Sequence, residues 1–333
     1  MQNKQNEIDN INELCNLYSL TDENFNEYYK KVMLFLTSNK KAGENKTLVI
    51  VGGQSGAGKS RLIKIALKEL NNNAVIVDFD ELRAAHPHYK EVCENYPEIT
   101  HRILHPDTEK VKNAALKTLI EQEYNVIYEG ALRNTQGFLD FASDFKKSGY
   151  NVEMFIMAVP KLESYGSTFL RYCTALITDS PARWVEKSAH DGSYEGVTRT
   201  VEEFIKQKMV DSISVFVRSN ELPKKIYSTQ ERQHSDAVMA IKYGRELGRK
   251  KAVEDFSAKY DTVKVILQSK KPEQSGRPIS KMHRSYILDC NNFNASSPLP
   301  TTSTSKSFSF KNSEISSDNI ISSSIKSIII FTP

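Results

Sequence analysis

The sequence predicts an α/β fold: a largely parallel sheet flanked by helices, with a disordered C-terminal tail. Three observations predict it. Short, almost wholly apolar runs recur (LVIVGG, AVIVDFD, NVIYEG, NVEMFIMAV), as expected of strands buried on both faces. Stretches with three- and four-residue apolar spacing separate them, and this alternation marks parallel β–α–β units. From about residue 291 the chain turns Ser/Thr-rich and non-periodic, with too little apolar surface to offset the entropy of ordering.

Taken in order, residues 1–45 form a helical segment. Leu20-Thr21-Asp22 supplies a cap, and Phe25, Tyr28, Tyr29, Val32, Met33 and Leu36 recur on one helical face. That face either joins the core or offers a docking surface to a partner. Residues 46–230 hold the α/β domain. LVIVGG is its first strand, RLIKIALKEL a helix, AVIVDFD the second strand and 108–123 a helix. NVIYEG, a helix at 138–147 and NVEMFIMAV follow, then helices at 162–177 and 197–209, the strand SISVFV and a short strand KKIYS. Residues 231–290 read as a charged helical extension over 235–260, with TVKVIL as one more short strand, and 291–333 as the tail. No internal repeat is present.

Composition narrows the function classes. Forty-five Lys+Arg against forty-one Asp+Glu leave a net charge of +4, too even for a dedicated nucleic-acid binder. The four cysteines, Cys15, Cys93, Cys173 and Cys290, form no CxxC pair and read as free thiols of a reducing compartment. The start MQNKQNEIDN lacks the basic and apolar blocks of a secretory signal. No run reaches the roughly 18 apolar residues of a spanning helix. A soluble, cytoplasmic protein with no nucleic-acid or membrane partner is expected.

The chemistry is carried by Gly53-Gln54-Ser55-Gly56-Ala57-Gly58-Lys59-Ser60, which fits G-x-x-x-x-G-K-[ST]. Glycines let such a loop curl until successive amides converge on phosphate oxygens, at a helix N-terminus whose dipole favours anions. Lys59 would reach the β- and γ-phosphates, Ser60 would ligate Mg²⁺, and Arg61 completes the nucleotide-binding set. A buried strand ends just before the motif and a helix begins within it. The fold class therefore narrows to a P-loop NTPase or kinase-like sheet with a helical lid. No N/TKxD guanine signature is present, so ATP is expected ahead of GTP.

P-loop proteins include switches as well as kinases, and the remaining residues choose between them. Asp78 and Asp80 lie two apart at the end of the second strand, so both carboxylates share a side if strand geometry persists. Ligands of open parallel sheets bind at that carboxyl edge, where a carboxylate can take a hydroxyl proton or hold Mg²⁺ through water. The bland alternative is a turn in which Asp80 caps a helix starting at Glu81. Glu129 and Arg133 leave the third strand at the same edge, facing an acceptor or pairing with each other. Arg171 lies on the segment after the fourth strand and Arg183 follows it, where guanidinium groups can neutralise a transferring phosphate. His86, His88, His101 and His105 are close in sequence, but phosphoryl transfer needs no zinc and they are not read as metal ligands. Tyr165 and Trp184 read as packing or base-stacking residues.

Together these residues resemble the zeta toxin family of P-loop kinases from toxin–antitoxin systems. The blocks GQSGAGKS, VIVDFDELRAAHP, NVIYEGALRNT and MAVPKLESYGSTFLRY followed by PARW match in order, over about residues 20–230. The resemblance implies transfer of phosphate from ATP, with Mg²⁺, to the 3′-hydroxyl of UDP-N-acetylglucosamine. Carried over by position, it implies Asp80 as general base and Lys59 and Ser60 as phosphate and metal groups. His86, Glu129 and Arg133 would line the acceptor pocket, and Arg171 and Arg183 would clamp the transferring phosphate. It also implies an antitoxin partner whose helix blocks the ATP site, a helix that residues 1–45 could mimic.

Two departures bear on the acceptor. Where the family carries an acidic, sugar-contacting residue, this chain has Asn113, with Glu109 one helical turn earlier. The stretch between Arg171 and Arg183 is one residue shorter. Another nucleotide acceptor such as NAD therefore remains an alternative, since one polar contact can change preference by several powers of ten. A nucleotide-dependent switch is the alternative from another class.

Overall fold

Two helices open the chain, α1 (Gln2–Leu17) and α2 (Asp22–Thr37). Thr21 caps α2, its hydroxyl accepting the Asn24 N–H at 3.3 Å. Phe25, Tyr28, Val32 and Leu36 are buried in the main core cluster, against β2 (Val75–Val77) and α7 (His105–Glu121). At about 1.5–3 kcal/mol per fully buried side chain, the core reading of this face is the one the fold adopts. This computed structural model describes residues 2–43, 45–96, 99–177, 185–249 and 252, apart from the side chains of 2–9 and 176–177. Residues 253–333, with the TVKVIL strand and the Ser/Thr-rich tail expected there, lie outside the described residues, as do Arg183 and Trp184.

The sheet has six strands in the order β2-β3-β1-β4-β5-β6. Besides β2 they are β1 (Thr47–Gly52), β3 (Val126–Gly130), β4 (Asn151–Met157), β5 (Ser212–Val217) and β6 (Lys224–Ser228). The first five are parallel, and β6 turns back antiparallel to β5. All six residues of β1 are buried because it is central and covered on both faces. Leu48 and Ile50 point into the cluster shared with α2, α7 and α8 (Thr135–Lys147). Val49 and Val51 point into a second cluster under α3 (Lys59–Glu69), with Leu62, Ile63 and Ala66.

Five further helices follow the ends of β2 and β4. Short α4 (Phe79–Ala84), α5 (Tyr89–Asn95) and α6 (Thr100–Ile103) follow β2. After β4 come α9 (Lys161–Ile177) and α10 (Lys187–Lys206), the helical pair expected of the lid segment. The last described helix, α11 (Ala237–Leu247), packs Ala237 and Ile241 into the main core. Cys15, Cys93 and Cys173 are free thiols. No helix among the described residues is long and apolar enough to cross a membrane.

Candidate active site

At the carboxyl end of β1 the chain turns through the glycine loop into α3. Gly58, at φ 95°, precedes the helix without a side-chain cap, so the first amides of α3 carry no capping side chain. Such amides, with Lys59 beside them, suit an anion. Gly56 sits at φ 75°, and a Cβ there would lie 2.1 Å from the Ser164 carbonyl oxygen, so only glycine fits. Gln54 anchors the loop from behind: its buried amide donates to Val159 O at 2.9 Å and Ser164 Oγ at 3.1 Å. Its side chain therefore serves to anchor the loop. The Arg61 guanidinium donates to the carbonyls of Ser219, Asn220 and Glu221 at 3.3–3.4 Å. Ser60 is exposed at the head of the helix.

Lys59 and Glu129 face each other across the outlets of β1 and β3, Nζ to Oε1 at 3.4 Å. The parallel register that sets Val51 beside Glu129 makes this possible. Burial dominates both groups, pulling the ammonium below its ordinary value and pushing the carboxyl above its own, while their mutual attraction opposes this. Asp78 acts on the same pair, raising both, and the Arg171 charge pushes Lys59 down. Glu129, Asp78 and Arg171 are thus all within electrostatic reach of Lys59.

The shared-side expectation for Asp78 and Asp80 is corrected. Strand geometry ends at Val77, and Asp78 becomes the N-cap of α4, its Oδ1 accepting the Asp80 N–H at 2.8 Å. Asp80 lies in the first helical turn and accepts from Arg83 at 2.7 Å. The cap of the bland reading exists, but Asp78 provides it, and the helix starts at Phe79 instead of Glu81. A helical step of about 100° per residue replaces the strand's period of two, so the pair does not project together by strand alternation.

His86 is corrected as well. Its side chain is wholly buried, its ring 5.3 Å from that of Tyr28 on α2. Nδ1 accepts the His88 N–H at 3.1 Å, which leaves the proton on Nε2, 3.5 Å from Asp107 Oδ2. Burial pulls its pKa down. This residue packs α2 and α7 together, a wholly buried place that argues against an acceptor-lining role. The described histidines, with Cys, Asp and Glu, form no group of three that could hold a metal.

Arg133 is exposed, its Nε lying 3.3 Å from where a Cβ on Gly192 of α10 would stand. The partner Glu129 takes is Lys59, not Arg133. Tyr165 is buried, its ring 5.2 Å from that of His190, and so is a packing residue. Sequence reading missed Arg218. It follows the apolar strand SISVFV at the same carboxyl edge, and that position after β5 is the signal that could have found it. Its guanidinium donates to Glu163 Oε1 at 2.7 Å, to Ser167 Oγ at 3.2 Å and to the Gly56 carbonyl. Beside it opens a cavity of about 300 Å³, lined by Pro160, Glu163, Arg218, Asn220, Leu247 and Gly248 among others. Also missed was buried His190, 3.0 Å from Ser164 Oγ.

Comparison with known proteins agrees with this geometry. A family model described as zeta toxin matches residues 34–232. Toxin zeta of Streptococcus pyogenes is 30% identical over 220 residues, covering 66% of this chain and 75% of that protein. Toxin PezT of Streptococcus pneumoniae serotype 4 is 28% identical over 227 residues, 67% of this chain and 88% of its own length. A solved structure from the PezAT chromosomal toxin–antitoxin system of Streptococcus pneumoniae matches with a TM-score of 0.66 at 24% identity. It covers 74% of this chain and 98% of the other, a likeness of fold. The glycine loop after β1, the parallel sheet and the family match over 34–232 lead to one conclusion: this chain belongs to the zeta toxin family.

Proposed function

We propose that this protein is an ATP- and Mg²⁺-dependent kinase that phosphorylates a hydroxyl of a sugar nucleotide, the 3′-hydroxyl of UDP-N-acetylglucosamine by its family. The observation that carries the reading is the Lys59–Glu129 pair, 3.4 Å apart at the end of an uncapped glycine loop. A lysine held there by a carboxylate is ready to exchange that partner for a triphosphate. Arg171, electrostatically coupled to Lys59, would approach the same phosphate from α9, and Arg183 is assigned the same task. Gly53 to Lys59 would cradle the phosphates with their backbone amides. Magnesium, when bound, neutralises phosphate charge; Ser60 is the group that would hold it, with Asp78 the next candidate. Asp80, held by Arg83, would accept the proton of the acceptor hydroxyl. Arg133 and Glu129 would border the acceptor.

One observation bears on the acceptor. Asn113 is exposed on α7, whereas Glu109 lies close enough to Tyr128 on β3 to raise its pKa, although burial is the larger cause. Glu109 thus stands in for the family's acidic residue, with Lys112 as its present partner at 2.5 Å. This keeps UDP-N-acetylglucosamine first and another nucleotide such as NAD second. A protein antitoxin is the proposed partner, as in the pneumococcal toxin–antitoxin system.

The test is direct. Purified protein is incubated with ATP, Mg²⁺ and either UDP-N-acetylglucosamine or NAD, and products gaining one phosphate are identified by mass spectrometry. Phosphorylated sugar nucleotide, falling about 10²–10⁴-fold in Asp80→Asn, supports the reading. Slow ATP hydrolysis indifferent to every acceptor would favour a switch and refute it.

A further inference from the structure

We propose that Arg218 is a positioning residue that ties the glycine loop to the first turns of α9 and so sets the approach of Arg171 to the loop. It rests on the kinase reading above. Arg218 follows β5 directly, on the same sheet edge as the loop. Its two terminal nitrogens divide between two elements. Nη1 donates to Glu163 Oε1 at 2.7 Å and Ser167 Oγ at 3.2 Å, both on α9, and Nη2 donates to the Gly56 carbonyl. Glu163 is itself buried, 9% exposed, so this is not a solvent-screened surface pair.

The geometry has two consequences. Pinning the Gly56 carbonyl fixes one peptide plane of the loop, whose next amide, Ala57 N–H, donates to Gln54 O at 3.0 Å. The crest of the loop is then held by Arg218 while its base is held by Gln54 through Val159 and Ser164. The second consequence runs along α9. Arg171 is eight residues beyond Glu163, about 12 Å at 1.5 Å per residue. A tether at the start of a rigid helix therefore sets where an arginine two turns on can reach. The dependence of Lys59 on the Arg171 charge agrees with that reach. Only arginine can serve both elements at once, because its planar fork presents donors in two directions where lysine offers one point.

The experiment compares Arg218→Met, Arg218→Lys, Glu163→Gln and the double variant Arg218→Met/Glu163→Gln with the parent chain. KM for ATP, kcat and thermal stability are measured with whichever acceptor the parent phosphorylates. Arg218→Met is expected to raise KM for ATP at least tenfold and to lower kcat, with KM for the acceptor unchanged. Arg218→Lys should not rescue it, and the double variant should be no worse than the worse single one. An unchanged KM for ATP alongside a lowered melting temperature, or fully additive losses, would overturn the tether. Amide hydrogen exchange of the ligand-free chain separates this inference from the kinase reading. Faster exchange in both the loop at 53–58 and α9 of Arg218→Met supports the tether even if no acceptor is ever phosphorylated. Unchanged exchange refutes it even in an active kinase. Should Arg218→Met not fold, the isosteric Glu163→Gln carries the same exchange measurement.

Discussion

Glu129→Gln should tighten nucleotide binding while weakening the empty protein. At 3.4 Å and an effective dielectric of about 20, Lys59 and Glu129 attract by about 5 kcal/mol. Burial works against that attraction, driving the lysine below and the glutamate above its ordinary pKa. Because burial is the larger influence on both groups, the pair adds no net stability of its own. What substitution removes is the carboxylate's partial compensation of the buried ammonium, about 1–2 kcal/mol of the gross figure. When a triphosphate takes over Lys59, the carboxylate is a competitor for the ammonium and a repulsive neighbour of the phosphates, so its removal helps. ATP should bind roughly five- to thirty-fold tighter, at about 1.4 kcal/mol per tenfold. Calorimetric titration with a non-hydrolysable ATP analogue measures the first effect, and chemical denaturation without nucleotide the second. Equal or weaker nucleotide binding by a folded variant would refute the exchange of partners on which the reasoning rests.

Other perturbations test separate parts of the structure. His190 is buried, with its Nδ1 3.4 Å from Asp191 and Nε2 3.0 Å from Ser164, and burial lowers its pKa to about 4. The unfolded chain takes up this proton near pH 6.5 and the folded one only near 4. The residue's contribution is therefore intact above pH 6.5 and lost on acidification to 4, on the order of 3 kcal/mol. His190→Asn should flatten the melting temperature between those limits; an unchanged slope refutes it. Gly56→Ala meets the Ser164 carbonyl at 2.1 Å, whereas Gly149→Ala, at φ 81°, finds its nearest neighbour, Lys46 Nζ, 3.9 Å away. The second should cost about 1–2 kcal/mol for the left-handed backbone alone, and the first several kcal/mol, read by urea denaturation. Tyr28→Phe removes a buried 2.6 Å hydrogen bond to the Leu82 carbonyl and should cost about 1–3 kcal/mol by the same assay; a cost near zero would mean that the carbonyl finds another donor.

Much of the glycine loop and its surroundings was legible in the chain itself. Thr21 caps a helix because its hydroxyl reaches an amide three residues away, and β1 buries six residues in a row because a central parallel strand has no wet face. The glycine loop reads the same way, its positive φ at Gly56 and Gly58 being a demand that glycine alone meets cheaply. These are interactions within a few residues, which spacing and residue type encode. The carboxylates after β2 were harder to read. Asp78 and Asp80 were assigned a strand's alternation across a point where the chain had already become helical, because a strand of three residues and a helical first turn share the same short stretch.

By itself the sequence determined the alternation of elements, the phosphate loop and the grouping of charges at one end of the strands, all of which follow from local periodicity and turn chemistry. Tertiary structure alone decided which of those charges meet. His86 ended beneath Tyr28, Glu129 against Lys59, and Arg218 across to Gly56. Those partners are 58, 70 and 162 residues apart in the numbering. No sequence spacing records such distances, because the strand order β2-β3-β1-β4-β5-β6 sets them, and burial then fixes which polar groups must find one another.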